Sequence, residues 1–173
     1  MGDMHVVVVG PMAVGKSTVA HRLADRLGWP VRDSDDDLEA ERGFSGRELA
    51  ATAGVDALHR WECSHLGRAV AAETPTVIAA AASVVEDPLC REALAEQFVV
   101  WLRAPAAVRT GRMEAQGHRR SLGPDPVGAL TTLDAERAEL YAAVADLTVD
   151  TGEASPDEIA ATILDHLPVP GAG

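Results

Sequence analysis

Aromatic residues are scarce in this chain of 173 residues: two Phe, one Tyr and three Trp, 3% of the total. A core must therefore be built mainly from Ala, Val, Leu and Ile. Positive charge is also short, with 15 Lys and Arg against 27 Asp and Glu and a net charge of −12. That balance argues against a nucleic-acid partner or an anionic membrane, both of which require a basic face. No apolar run is long enough to span a bilayer. There are only two cysteines, Cys63 and Cys90, without metal-ligand spacing, and the expectation is two reduced, mostly buried thiols in a cytoplasmic protein. No basic segment precedes the first apolar stretch, so it reads as a strand and not as a signal peptide. Neither an internal repeat nor a linker is visible, and a single domain over 1–173 is expected.

What is present alternates. His5-Val6-Val7-Val8-Val9 is a β-branched run suited to a buried parallel strand. Val19, Leu23 and Leu27 then recur at helical spacing, and Gly28 closes the helix. Weaker strand signals start at Trp29-Pro30-Val31-Arg32. Others occupy Thr76 to Ala79, Phe98 to Leu102 and Leu147 to Val149, with Ala- and Leu-rich helical stretches between them. Ser155-Pro156-Asp157-Glu158 carries a capping-box pattern with Pro at the first helical position. The expected fold is α/β in three layers, with a mainly parallel sheet of about five strands flanked by helices.

Between the first strand and helix lies Gly10-Pro11-Met12-Ala13-Val14-Gly15-Lys16-Ser17, followed by Thr18. Glycines let a loop turn its N–H groups inward onto phosphates. A lysine adds a point charge, and a Ser hydroxyl can ligate magnesium. The helix N-terminus adds its positive dipole end. The strand before it and the amphipathic helix after it supply the structural context the motif needs. ATP with Mg2+ is the implied ligand, contacted by Gly10, Ala13, Val14, Gly15, Lys16, Ser17 and Thr18. No Asn-Lys-x-Asp guanine motif is visible, which disfavours a GTPase switch.

Asp33-Ser34-Asp35-Asp36-Asp37 follows the second strand signal. Asp33 and Asp35 are expected at the carboxyl edge of the sheet, where ligands bind in such folds, sharing a face if the chain is extended there. One can hold magnesium through its water shell while the other accepts a hydroxyl proton. Asp36 and Asp37 read as a solvated face.

The order of these motifs resembles the shikimate kinase family over nearly the whole chain. The resemblance implies a magnesium-shell role for Asp33 and a catalytic-base or substrate-hydroxyl role for Asp35. It aligns Arg112 with an arginine that stacks on adenine, and Arg119 with a mobile-lid arginine reaching the transferring phosphate. Arg137, in Arg137-Ala138-Glu139-Leu140-Tyr141, aligns with an arginine that grips the substrate carboxylate. Val149-Asp150-Thr151 with Ser155 and Pro156 resembles the adenine-side loop. His118-Arg119-Arg120, between Gly117 and Gly123, suits a lid closing over phosphates. The implied organisation is a single P-loop kinase domain, with a helical substrate-binding segment at about 34–72 and a lid at about 111–126.

Two departures fall on the acceptor side. Ala81, Ala82 and Ser83 stand where the family has Gly-Gly-Gly. A positive φ would be disfavoured there, and each Cβ fills space a ligand could otherwise approach. In Gly54-Val55-Asp56-Ala57-Leu58-His59-Arg60-Trp61-Glu62, His59 replaces a second carboxylate-binding arginine, while Glu62 is kept. Arg60 points about 100° away on a helix. Losing a charged bidentate clamp, at about 1.5–3 kcal/mol, would weaken carboxylate binding roughly ten- to a hundredfold.

The reading is thus a P-loop small-molecule kinase, with Lys16, Asp35 and Arg119 catalytic and Ser17 and Asp33 at the metal. Asp35, His59, Ala81, Ala82 and Arg137 form the acceptor site. The substrate is a small hydroxylated compound, with carboxylic acids among the candidates and shikimate itself in question. A gluconate kinase-like enzyme and a catalytically degenerate ATP-binding protein are the alternatives. A cytoplasmic monomer is expected.

Overall fold

The computed structural model describes residues 4–116 and 122–168. In chain order the elements are β1 (Val6–Val9), α1 (Lys16–Leu27), β2 (Val31–Asp33), α2 (Ser34–Arg42), α3 (Gly46–Ala53) and α4 (Val55–Val70). Next come β3 (Val77–Ala79), a 3-10 turn (Ala82–Glu86), α5 (Pro88–Leu94), β4 (Phe98–Arg103) and α6 (Ala106–Ala115). The last are α7 (Pro126–Val144), β5 (Leu147–Asp150) and α8 (Pro156–His166). The strands form one parallel sheet in the order β2-β3-β1-β4-β5. That order steps outward in both directions from β1, so loops after β1 and its neighbours open together at the carboxyl edge.

The four valines of β1 have no exposed surface, because alternate side chains enter opposite layers. Val6 and Val8 pack with Val19, Ala20 and Leu23 of α1 and with Ile159 and Ile163 of α8. Val7 and Val9 pack with Leu66 and Ala69 of α4, Leu94 of α5 and Tyr141 of α7. A smaller cluster of Leu38, Leu58 and Trp61 joins α2 to α4. Aliphatic side chains thus fill both layers, as the shortage of aromatics requires.

The helix boundaries follow the sequence signals. Gly28 adopts a left-handed conformation (φ 66°) and donates its N–H to Ala24 O, ending α1. Ser155 and Glu158 form the expected capping box at the start of α8. Three expectations need correction. Asp33 and Asp35 do not share an extended strand: Asp33 caps α2, and Asp35 lies in its first turn. Asp37 is not a solvated charge but is held by Arg32 and His65, each at 2.6 Å. The two cysteines are not free thiols, since Cys63 of α4 and Cys90 of α5 form a disulfide with a Cα–Cα distance of 6.0 Å. Spacing along the chain could not reveal that pairing, because it depends on how α4 packs against α5. No described helix is long and apolar enough to cross a membrane.

Candidate functional site

The loop between β1 and α1 is held open by its backbone. A Cβ on Gly10 would sit 2.6 Å from the Leu102 carbonyl oxygen of β4, so only glycine lets the loop pass this strand. Gly15 takes φ 103° immediately before α1. Ala13, at φ 61°, is the one non-glycine residue with a positive φ among the described residues. Such conformations cost of order 1–3 kcal/mol and concentrate at ligand-binding loops. Ser17 and Thr18 are exposed at the start of α1, and Val14 is buried beneath the loop.

Lys16 donates to Gly10 O at 2.9 Å and Pro11 O at 3.0 Å. Loss of water around its ammonium lowers its pKa to about 8, although the charges of Asp35, Asp33 and Glu62 act in the opposite direction. Three carboxylates from β2, α2 and α4 therefore converge electrostatically on this one cation. Asp33 is buried, and its Oδ1 accepts from the N–H of Asp35 at 3.0 Å and of Asp36 at 3.5 Å. Its Oδ2 is buried with no partner among the described residues. A buried, unpartnered carboxylate oxygen of this kind suits the water shell of a divalent cation. Asp35 is exposed.

Arg112 bridges the phosphate loop and the loop after β5. Its guanidinium donates to Val14 O at 3.1 Å and Thr151 O at 2.9 Å, and the Thr151 hydroxyl donates to the same Val14 O at 2.9 Å. Ser155 and Pro156 open α8 from that same loop. Sequence reasoning missed Arg109, whose side chain is fully buried. It donates to Ala104 O at 3.1 Å and Met12 O at 3.2 Å and pairs with Asp134 of α7. Its spacing of three residues from Arg112 on α6 was the available signal, since such residues share a helix face. Arg119, with His118 and Arg120, lies outside the described residues.

On the acceptor side, Ala81 has φ −64° and leads into the 3-10 turn. The alanines accordingly need no left-handed backbone, and the loop coils where glycines would have permitted other paths. Ser83 donates to the carboxylate of Glu62. Arg137 donates to Glu86 at 2.9 Å, while its buried Nε has no partner among the described residues. Tyr141 donates its hydroxyl to Ala82 O at 2.8 Å and stacks on Trp101. His59 faces a cavity of about 300 Å³ between α4, the 3-10 turn and α5, together with Asp56, Arg60, Ser83, Glu86 and Asp87. A second cavity of about 270 Å³ beside Pro11 is lined by Trp101, Arg103, Asp134 and Tyr141.

Asp37 is the other charged centre, set behind the site. Burial alone would raise its pKa, but hydrogen bonds from Arg32 and His65 outweigh that and hold it below the usual carboxylate range. Cys63, Asp87 and Cys90 bring potential metal-ligand atoms within 4.8 Å of one another. Both sulfurs are committed to the disulfide, so no thiolate is offered there.

The family model for shikimate kinase matches residues 12–168. The chain belongs to the shikimate kinase family. It is 38% identical over 168 residues to a shikimate kinase of Symbiobacterium thermophilum, covering 95% of this chain and 96% of the relative. A shikimate kinase of Mycobacterium bovis is 36% identical over 165 residues, covering 95% and 93%. Among solved structures, shikimate kinase from Acinetobacter baumannii in complex with shikimate matches with a TM-score of 0.87 and 27% identity, over 94% of this chain and 91% of that one. A gluconokinase from Sinorhizobium meliloti shares the fold at a TM-score of 0.60 and 22% identity, over 94% and 90%. Like other shikimate kinase family members, the protein is an ATP-dependent P-loop kinase that transfers phosphate to a hydroxyl of a small molecule.

Proposed function

We propose that Lys16, Asp33 and Asp35 form the phosphoryl-transfer centre of this kinase and that its acceptor pocket is altered from the family pattern. The observation that carries the reading is the convergence of Asp33, Asp35 and Glu62 on the partly desolvated Lys16 at the carboxyl edge of the sheet. Lys16 and the loop amides from Gly10 to Thr18 bind the ATP phosphates. Arg112, Ser155 and Pro156 border the base. The Ser17 hydroxyl and the Asp33 carboxylate hold Mg2+, Asp33 through the ion's water shell, and the ion supplies neutralisation of the phosphate oxygens. Asp35 orients the acceptor hydroxyl and accepts its proton. Arg119 offsets charge on the transferred group. Catalysis then rests on positioning and electrostatics, as phosphoryl transfer requires.

His59, Ala81, Ala82 and Arg137 border the acceptor. Residues 34–72 shape the acceptor side and 111–126 form the lid of a single domain, working as a cytoplasmic monomer. The direct test is Asp35→Asn in an ATP-consumption assay with shikimate, gluconate and related polyols. Turnover should fall by at least a thousandfold while ATP affinity changes by less than about threefold. Unchanged turnover would remove Asp35 from the mechanism. Strong wild-type activity on shikimate would show that His59 and the Ala-Ser loop are tolerated substitutions. ATP binding without any phosphorylated product would favour a degenerate nucleotide-binding protein.

A further inference from the structure

The loop after β3 leaves the sheet at the middle of its carboxyl edge. Ala79, the last residue of β3, pairs with Asp33 of β2 on one side and with Val8 of β1 on the other. Residues 80–83 therefore set out between the end of β2 and the phosphate loop that follows Val9. Three hydrogen bonds fasten them there. Ala80 donates its N–H to Val8 O at 3.1 Å. Tyr141 of α7 donates its hydroxyl to Ala82 O at 2.8 Å. The Ser83 hydroxyl donates to the Glu62 carboxylate of α4. The first two use only the loop's backbone, so alanine or glycine serves equally well. The third needs a hydroxyl on the loop itself, which the glycine of the family pattern does not have. Ser83 is buried, and a hydrogen bond to an ionised carboxylate is stronger than one between neutral groups. Glu62 is also one of the carboxylates whose charge acts on Lys16. The bond thus joins the loop after β3 to a group already coupled to the phosphate-binding lysine.

We infer that Ser83 is a positioning residue: through Glu62 it holds the loop after β3 in place beside the transfer centre and so orients the acceptor. The inference rests on the kinase reading above, and it concerns how that site holds its acceptor.

The test is steady-state kinetics with ATP and shikimate in wild type, Ser83→Gly, Ser83→Ala and Ser83→Thr. Ser83→Gly restores the family pattern at this position, yet it should raise KM for shikimate about tenfold, as should Ser83→Ala. ATP affinity, measured by isothermal titration calorimetry without acceptor, should change by less than about threefold in both. Ser83→Thr keeps the hydroxyl, and its methyl has room in the adjoining cavity of about 300 Å³. Its KM should stay within about threefold of wild type. In a Glu62→Ala background the Ser83 substitutions should add less than about twofold, because the partner is gone. The inference is overturned if Ser83→Gly or Ser83→Ala matches wild type, or if Ser83→Thr is as impaired as they are. It is equally overturned if the Ser83 and Glu62 effects multiply, or if ATP affinity falls as far as KM rises. Absence of wild-type transfer to shikimate overturns it as well. Transfer to gluconate or another polyol would in that case leave the kinase standing, whereas transfer to none of them would count against the kinase.

Discussion

Lys16 carries a strongly shifted ionisation at the candidate site. With its pKa lowered to about 8, the free protein carries this charge below that value and loses it above. Bound triphosphate favours the ammonium, so nucleotide binding draws the pKa back up. ATP affinity is therefore expected to be flat below about pH 7 and to fall by up to tenfold per pH unit above about 8. The same linkage acts on folding. The unfolded value of 10.5 lies above the folded one, so the desolvated ammonium costs stability below about 8, and that cost disappears between about 8 and 10.5. Titrating nucleotide affinity across pH 6.5–9.5 in wild type and Lys16→Met checks the assignment, because the variant should bind weakly and show no inflection.

At the level of elements, α6 ties the phosphate loop to α7 and to the loop after β5. Arg109 is buried between Met12 of the phosphate loop and Asp134 of α7, and Arg112 fastens Val14 to Thr151. Removing the partner of a buried guanidinium is more damaging than removing a surface pair. Asp134→Ala is expected to cost about 3 kcal/mol in urea unfolding and to loosen nucleotide binding, because the loop carbonyl of Met12 shares the same arginine. A loss below about 0.5 kcal/mol would show that Arg109 finds another partner. Here the sequence was readable only in part. The valine run, the Gly28 stop and the Ser155 cap depend on neighbours in the chain, and all stand where their signals put them. Asp37 with His65, Arg109 with Asp134 and Arg137 with Glu86 depend on packing across 28, 25 and 51 residues. Local spacing carries no trace of such pairings. The start of α2 was obscured for a related reason: an Asp at an N-cap and an Asp on a strand end look alike until the helix after them is seen.

The whole molecule is stabilised by a cross-link that composition did not suggest. The Cys63–Cys90 bond closes a loop across a sequence separation of 27 and joins two helices on one face of the sheet. By loop-closure entropy, reduction is expected to lower stability by about 3–4 kcal/mol. Denaturant unfolding with and without a thiol reductant measures this, and Cys63→Ser should reproduce the reduced value without responding to reductant. Unchanged stability on reduction would mean that the packing of α4 on α5 already holds that region in the unfolded ensemble or needs no staple.

The parallel sheet with β1 at its centre also bears on the order of assembly. Val6 to Val9 are made early, but their ladder partners are Val77 to Ala79 and Phe98 to Trp101. During synthesis, some seventy residues must emerge before the first neighbour exists. For that interval four consecutive valines, uncharged and strongly β-prone, are without their final cover. The strand that anchors the finished phosphate loop is thus the one that waits longest on the ribosome. Newborn chains, more than folded ones, will carry this protein's exposure to chaperones.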